Sequence, residues 1–243
     1  MKRLLILTFI CLISAFVKVQ GKSSSTPIIY IDGNGVMRWS DTRREASFFG
    51  VNYTLPFAHA YRAIGYLELD RKAAIDKDVY HISRLGLNAY RIHLWDVELT
   101  DGQGNLLENE HLDLMDYPVS YTHLRAHETK ANFGNGYPER NIQTGGFSYK
   151  YDKCDMHSHP EAIAAQETYL HGLVKHVNPY TGLAYKDDPS IVGFEINNEP
   201  CHSGTKKEVK AYINRMLKAI NKTGNRKPVF YNVSHNGYVV EAY

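Results

Sequence analysis

The sequence predicts an α/β fold, an incomplete (β/α)8 TIM barrel with an N-terminal β-hairpin. Three observations carry this prediction. Apolar, strand-like runs alternate with stretches of helical spacing along the 243 residues, the pattern of parallel strands joined by crossover helices. The runs lead into polar residues at Asn52, His93, Glu199 and His235, and a (β/α)8 barrel gathers its functional groups at the C-terminal ends of its strands. No glycine-rich phosphate loop follows any strand, which lowers the competing prediction of an open doubly wound sheet that binds a phosphate or nucleotide.

Taken in order, Ile28 to Trp39 reads as a hairpin around the turn Asp32-Gly33-Asn34-Gly35, placed to plug the bottom of the barrel. Ala46 to Tyr53 reads as the first barrel strand. Arg71 to Leu85 has helical spacing (Ala74, Ile75, Val79, Ile82, Leu85), with Gly86 as its C-cap. Ala89 to Leu94 is the second strand, and Leu112 to Tyr117 begins another helix. Ala162 to Val177 is an amphipathic helix, and Pro189 precedes the strand Ile191 to Ile196. Val209 to Ile220 and Pro228 to Val233 add a further helix and strand.

The rhythm breaks between Tyr117 and Phe133. Pro118 should end its helix, and the residues after it show neither a period of two nor an apolar run. Residues 119–129 read Val-Ser-Tyr-Thr-His-Leu-Arg-Ala-His-Glu-Thr, which resembles, codon by codon, the translation of a transposase-type sequencing-library adapter. Lys130-Ala131-Asn132 fits an index that follows it. On this reading residues 119–132 are non-native and stand where a helix end and the third strand belong. His123 and His127 are then accidents rather than ligands.

Composition narrows the class. Apolar content of 43% against 22% charge describes a globular chain and excludes a disordered one. Met1-Lys2-Arg3, an apolar run from Leu4 to Val17 and a small residue at Gly21 describe a signal peptide over residues 1–21, followed by a polar linker over residues 22–27. The expected location is secreted or periplasmic, with no membrane span after signal cleavage. Cleavage takes three of the 28 basic residues and leaves 25 against 26 acidic ones, so nothing argues for nucleic acid. Cys154 and Cys201 remain, as a disulfide of an exported protein or as two thiols. Asp155-Met156-His157-Ser158-His159 lacks the spacing of a structural zinc site, and the sequence calls for no metal or other cofactor.

The chemistry concentrates at Glu199, a carboxylate at the C-terminal mouth of a strand with the amide of Asn198 beside it. A strand end inside an apolar barrel mouth should desolvate a carboxyl group and keep it protonated. Asn198-Glu199-Pro200 after an apolar strand resembles the acid/base motif of the large clan of retaining (β/α)8 glycoside hydrolases, close to its cellulase- and mannanase-like families. Arg91 in Ala89-Tyr90-Arg91-Ile92 matches that clan's second-strand arginine. Asn135-Gly136-Tyr137-Pro138-Glu139 and Thr144-Gly145-Gly146-Phe147 resemble the long third-strand loop of secreted bacterial members. The resemblance covers roughly residues 28–118 and 133–243.

The resemblance implies cleavage of a β-linked glycan, with Glu199 as proton donor, Asn198 on the sugar 2-hydroxyl, and Arg91 holding a nucleophile carboxylate ionised. His93, Trp95, His235 and Tyr238 are candidate substrate contacts, while Glu195, inside its strand, is not expected to act. The family places its nucleophile on a seventh strand. This chain is expected to supply strands one, two, a damaged three, four and five of a barrel over residues 28–243, with the acid/base but without the nucleophile. Alone it is expected to be unstable and inactive, with open strand edges. A non-catalytic carbohydrate-binding barrel is the alternative; the Asn198-Glu199 pair favours the enzyme.

Overall fold

A computed structural model describes residues 27–120, 125–131 (backbone only), 145–151, 154–200, 202 and 204–232. In chain order the elements are β1 (Ile29–Ile31), β2 (Met37–Trp39), β3 (Gly50–Tyr53), α1 (Ala58–Tyr66), α2 (Arg71–Arg84), β4 (Ala89–Leu94), α3 (Asp96–Leu99), α4 (Glu110–Val119) and β5 (Arg125–Ala131). A short 3-10 turn, Phe147–Lys150, and α5 (Pro160–Lys175), β6 (Phe194–Asn198), α6 (Lys206–Asn221) and β7 (Val229–Asn232) follow.

β3 to β7 form one parallel sheet in the order β3-β4-β5-β6-β7. Strand order therefore follows chain order without reversal, as in a barrel; a doubly wound sheet reverses at its switch point. Helices cover the outer face. Ile75 and Val79 of α2, Leu112 and Met115 of α4, Leu170 and Leu173 of α5 and Ile213 and Met216 of α6 share one buried core with Tyr90, Ile92, Leu94, Phe194 and Ile196 of the strands. Alternation along β4 then turns Arg91 and His93 to the inner face. β1 and β2 pair antiparallel, and Ile29, Met37 and Trp39 pack with Val192 just before β6.

Local chemistry explains the ends. Asp70 accepts from the Ala73 amide at the start of α2, and Gly86, at φ 75°, takes the left-handed turn that closes it. Thr205 and Glu208 form a reciprocal capping box at the start of α6. α1 and α3 have no counterpart among the expected elements, because both are short and follow strands directly.

Three boundaries differ from the sequence reading. Pro118 does not end α4: the helix carries it in its last turn, one residue before its end at Val119. β6 begins at Phe194 rather than Ile191 and extends through Asn198. The expected gap at the third strand is filled by the backbone of Arg125–Ala131, which pairs with β4 from Ala89↔Arg125 to Leu94↔Ala131 and with β6 at Lys130↔Glu195. The flanking strands supply backbone donors and acceptors that any sequence can meet, so pairing here does not require apolar side chains. The pairing with β4 shifts by one residue between Arg91 and Ile92.

At the opposite end from the strand C-termini lies a buried polar network. Asp116 accepts from His176 Nε2 at 2.8 Å and from the Tyr185 hydroxyl, and Asn178 Nδ2 donates to the Asp116 carbonyl at 2.9 Å. Lys227 Nζ donates to the Tyr185 carbonyl at 2.6 Å and to the Asp188 carbonyl. Burial pushes the Lys227 ammonium down to about 7 from its ordinary 10.5. Between those values the unfolded chain binds more protons than the folded one, so this group makes stability rise with pH, by up to about 1.4 kcal/mol per unit. Urea unfolding between pH 7 and 9 should show that slope, and Lys227→Met should flatten it; equal slopes would refute the assignment.

Candidate functional site

The inner face of the sheet carries a continuous polar chain across four strands. Arg91 of β4 donates from Nη2 to both carboxylate oxygens of Glu195 on β6, at 2.5 Å each, and reaches Asn198 Oδ1 at 3.4 Å. Arg91 Nη1 lies 3.3 Å from His93 Nε2, which is 3.2 Å from Asn52 Oδ1 on β3. The unprotonated Nε2 accepts from Arg91, and the protonated one donates to Asn52. On the other side, Asn232 Nδ2 of β7 donates to Asn198 Oδ1 at 3.0 Å. The Glu195 side chain is 5% exposed and that of Arg91 21%, so the ion pair is largely shielded from water.

Plain alternation would turn Glu195 and Asn198, three residues apart, to opposite faces. β6 avoids this by a bulge: from Glu195↔Phe230 to Asn198↔Asn232 it spends three steps against two on β7. The extra residue brings Asn198 round to the face of Glu195. Tyr212 of α6 hydrogen-bonds Asn197, which lies toward the helix layer.

Glu199 follows at once. Its φ is 47°, an uncommon left-handed conformation for a residue other than glycine, and its amide donates to the Asn232 carbonyl at 3.2 Å. The residue is exposed, not enclosed as its position at an apolar barrel mouth led us to expect. The reason is that the chain leaves the strand at this residue.

A second cluster holds the segment between β6 and α6. His202 stacks on Tyr231 with rings 4° from parallel, and its Nε2 lies 2.7 Å from the Tyr231 hydroxyl. His157 packs edge-on to His202, and its Nε2 accepts from the Gly204 amide at 3.2 Å. Burial, with His157 alongside, pushes His202 down to about 4, so it is neutral at pH 7. Cys154 is disulfide-bonded; Cys201 lies outside the described residues.

Of the sequence-predicted residues, Arg91, His93 and Asn198 come together on the inner face, with Glu199 at its rim. Trp95 is 6% exposed and packs into the core, its ring edge-on to His59 at 6.5 Å. His235 and Tyr238 lie outside the described residues. Sequence reasoning noted Asn52 only as a polar strand end, did not single out Asn232, and did not expect Glu195 to act. Its signal was present: Arg91 and Glu195 are opposite charges, each in the middle of an apolar strand, and such charges are tolerated only when paired. Glu195→Gln should destabilise the protein by about 3 kcal/mol, whereas Arg91→Met with Glu195→Leu should recover most of that loss. Guanidinium unfolding of the two variants measures both; an unaltered midpoint for Glu195→Gln would show the pair to be idle.

The cellulase model of glycosyl hydrolase family 5 matches residues 155–238. No curated protein sequence matches the chain. Among solved structures, the endo-1,4-β-mannanase of Rhizomucor miehei superposes with a TM-score of 0.61 at 17% identity, over 85% of this chain and 60% of that one. The endo-β-1,4-mannanase of Thermotoga petrophila gives 0.58 at 16%, over 80% and 45%. The exo-β-1,4-mannosidase of Opitutaceae bacterium strain TAV5 gives 0.59 at 19%, over 84% and 34%. The chain thus spans at most 60% of the length of these three proteins. Its fold is that of the α/β barrels, and the stretch that matches the family 5 cellulase model is the one that holds Asn198 and Glu199.

Proposed function

We propose that the protein is a glycoside hydrolase that cleaves O-glycosidic bonds of a β-linked polysaccharide or oligosaccharide by a retaining, two-carboxylate mechanism. The observation that carries this reading is the coincidence of the family 5 match with the bulged strand end at Asn198 and Glu199. In it Glu199 donates a proton to the leaving oxygen as the bond breaks. Asn198, its carbonyl oxygen held by Asn232, presents its amide N–H to the sugar 2-hydroxyl. That contact strengthens as positive charge builds on the ring. Arg91, a fixed positive charge on the same face, holds the nucleophile carboxylate ionised. His93 joins Arg91 to Asn52 and borders the substrate.

The nucleophile belongs on a strand outside this sequence. Glu195 does not supply it. It lies three residues before the end of β6 at Asn198, so at about 3.3 Å per residue Glu199 starts roughly 10 Å further along the chain. Retaining pairs are separated by about 5–5.5 Å. Glu195 is also held by Arg91. Two further parts of the reading are that residues 1–21 are a signal peptide that exports the protein and that residues 119–132 derive from adapter sequence. Among the described residues, no helix is long and apolar enough to cross a membrane.

β-1,4-linked mannose oligomers are the first ligands to test, since the structural neighbours are mannan-directed by name. Titration with mannohexaose or cellohexaose, followed by amide NMR, should perturb Asn52, Arg91, His93 and Asn198. Asn198→Ala should weaken binding roughly tenfold, the scale of one lost hydrogen bond to a sugar hydroxyl. Neither glycan should release reducing ends. Absence of binding to both sinks the glycan reading; turnover by this chain alone sinks the placement of the nucleophile elsewhere.

A further inference from the structure

A cavity of about 480 Å³ shares no residue with the polar chain of the inner face. Three walls form it: the turn after α3, the 3-10 turn before α5, and the first three turns of α5. Gln103, Lys150, Tyr151, Glu161 and Thr168 line it. Its volume falls within the range of about 300–1,000 Å³ typical of small-molecule sites.

Each wall is fixed independently of the cavity. Asp101 Oδ1 accepts from the amides of Gln103 and Asn105 at 2.9 Å each, and its Oδ2 from Asn105 Nδ2 at 2.8 Å. Gly104, at φ 85°, seats this turn so closely on α5 that a Cβ there would lie 2.0 Å from the Ala165 carbonyl oxygen. The fully buried Asp96 holds the 3-10 turn, accepting from the Ser148 amide at 2.9 Å and the Ser148 hydroxyl at 2.6 Å. Tyr151 is set against α5 by its hydroxyl, which donates to Glu161 Oε2 at 3.1 Å. The site is therefore preformed and requires little ordering on binding.

The lining selects the ligand. Lys150 disfavours a cation and Glu161 an anion, whereas a neutral polyol uses both, donating hydroxyls to the carboxylate and accepting from the ammonium. Gln103 donates and accepts, while Thr168, whose hydroxyl donates to the Ala164 carbonyl at 3.1 Å, accepts. Tyr151 adds aromatic surface suited to a sugar's C–H face. We propose that this cavity is an accessory binding site for a neutral oligosaccharide, separate from Asn198 and Glu199. The choice of β-linked probe rests on the function proposed above; the site itself rests on its lining and its fixed walls.

The test is titration of the full chain with β-1,4-mannohexaose and cellohexaose, monitored by amide NMR, in the parent, in Asn198→Ala and in Lys150→Ala with Glu161→Gln. The proposal expects shifts at Gln103, Lys150, Glu161 and Thr168 that persist in Asn198→Ala, and a Kd for this set raised roughly tenfold or more in the double variant. Both altered residues are exposed, so folding should survive, and an unchanged amide spectrum elsewhere verifies it. Shifts at these four residues with none at Asn198 support the accessory site while refuting the glycosidase reading. Shifts at Asn198 without them, or no shifts at all, overturn the accessory site.

Discussion

The ion pair between Arg91 and Glu195 is the interaction around which the inner face is organised. It joins β4 to β6 across the strand between them. Alternate strands of a sheet stand roughly 9.5 Å apart, a gap that arginine's long side chain can bridge. The charges that make such a pair costly to bury also make it directional. Once Glu195 fixes the guanidinium, His93 takes its place at Nη1 and Asn198 shares Nη2 with the carboxylate. The pair also explains how β6 stays in line with β4 although the strand between them has a sequence with no strand pattern.

Much of this arrangement was legible in the residues. Apolar runs and helical spacing located β3, β4, β6, β7 and the helices α2, α5 and α6, because those signals reflect which face of an element meets the core. The polar strand end at Asn198 and Glu199 was legible because it closes an apolar run. β5 was not, since its pairing is a property of the backbones on either side rather than of its own side chains. Trp95 was misleading for a related reason. It follows a strand end, yet it turns into the core, and side-chain direction at a strand exit depends on the next element, here a single-turn helix. Glu195 was dismissed because its partner lies 104 residues away, beyond the reach of any local pattern.

The two ends of the barrel solve different problems with similar side chains. At the strand C-termini, Asp96 and Asp101 fix turns and leave the space between them open. At the other end Asp116, Tyr185 and Lys227 fill the interior and tie α4, the turn after α5 and the entry to β7 together. One end gives up packing for access, and the other gives up access for rigidity. The His202–Tyr231 stack lies on the first side but follows the second logic: it secures the segment that follows Glu199 against the strand beside it.

The bulge in β6 acts as a vernier on the site. Pairing the same residues without the bulge would restore plain alternation and turn the amide toward the helix layer, with the hydrophobic core and the sheet order left intact. A sheet of this kind can therefore redirect a side chain through the register of a single strand. Register at this point, as much as residue identity, decides which face the amide serves.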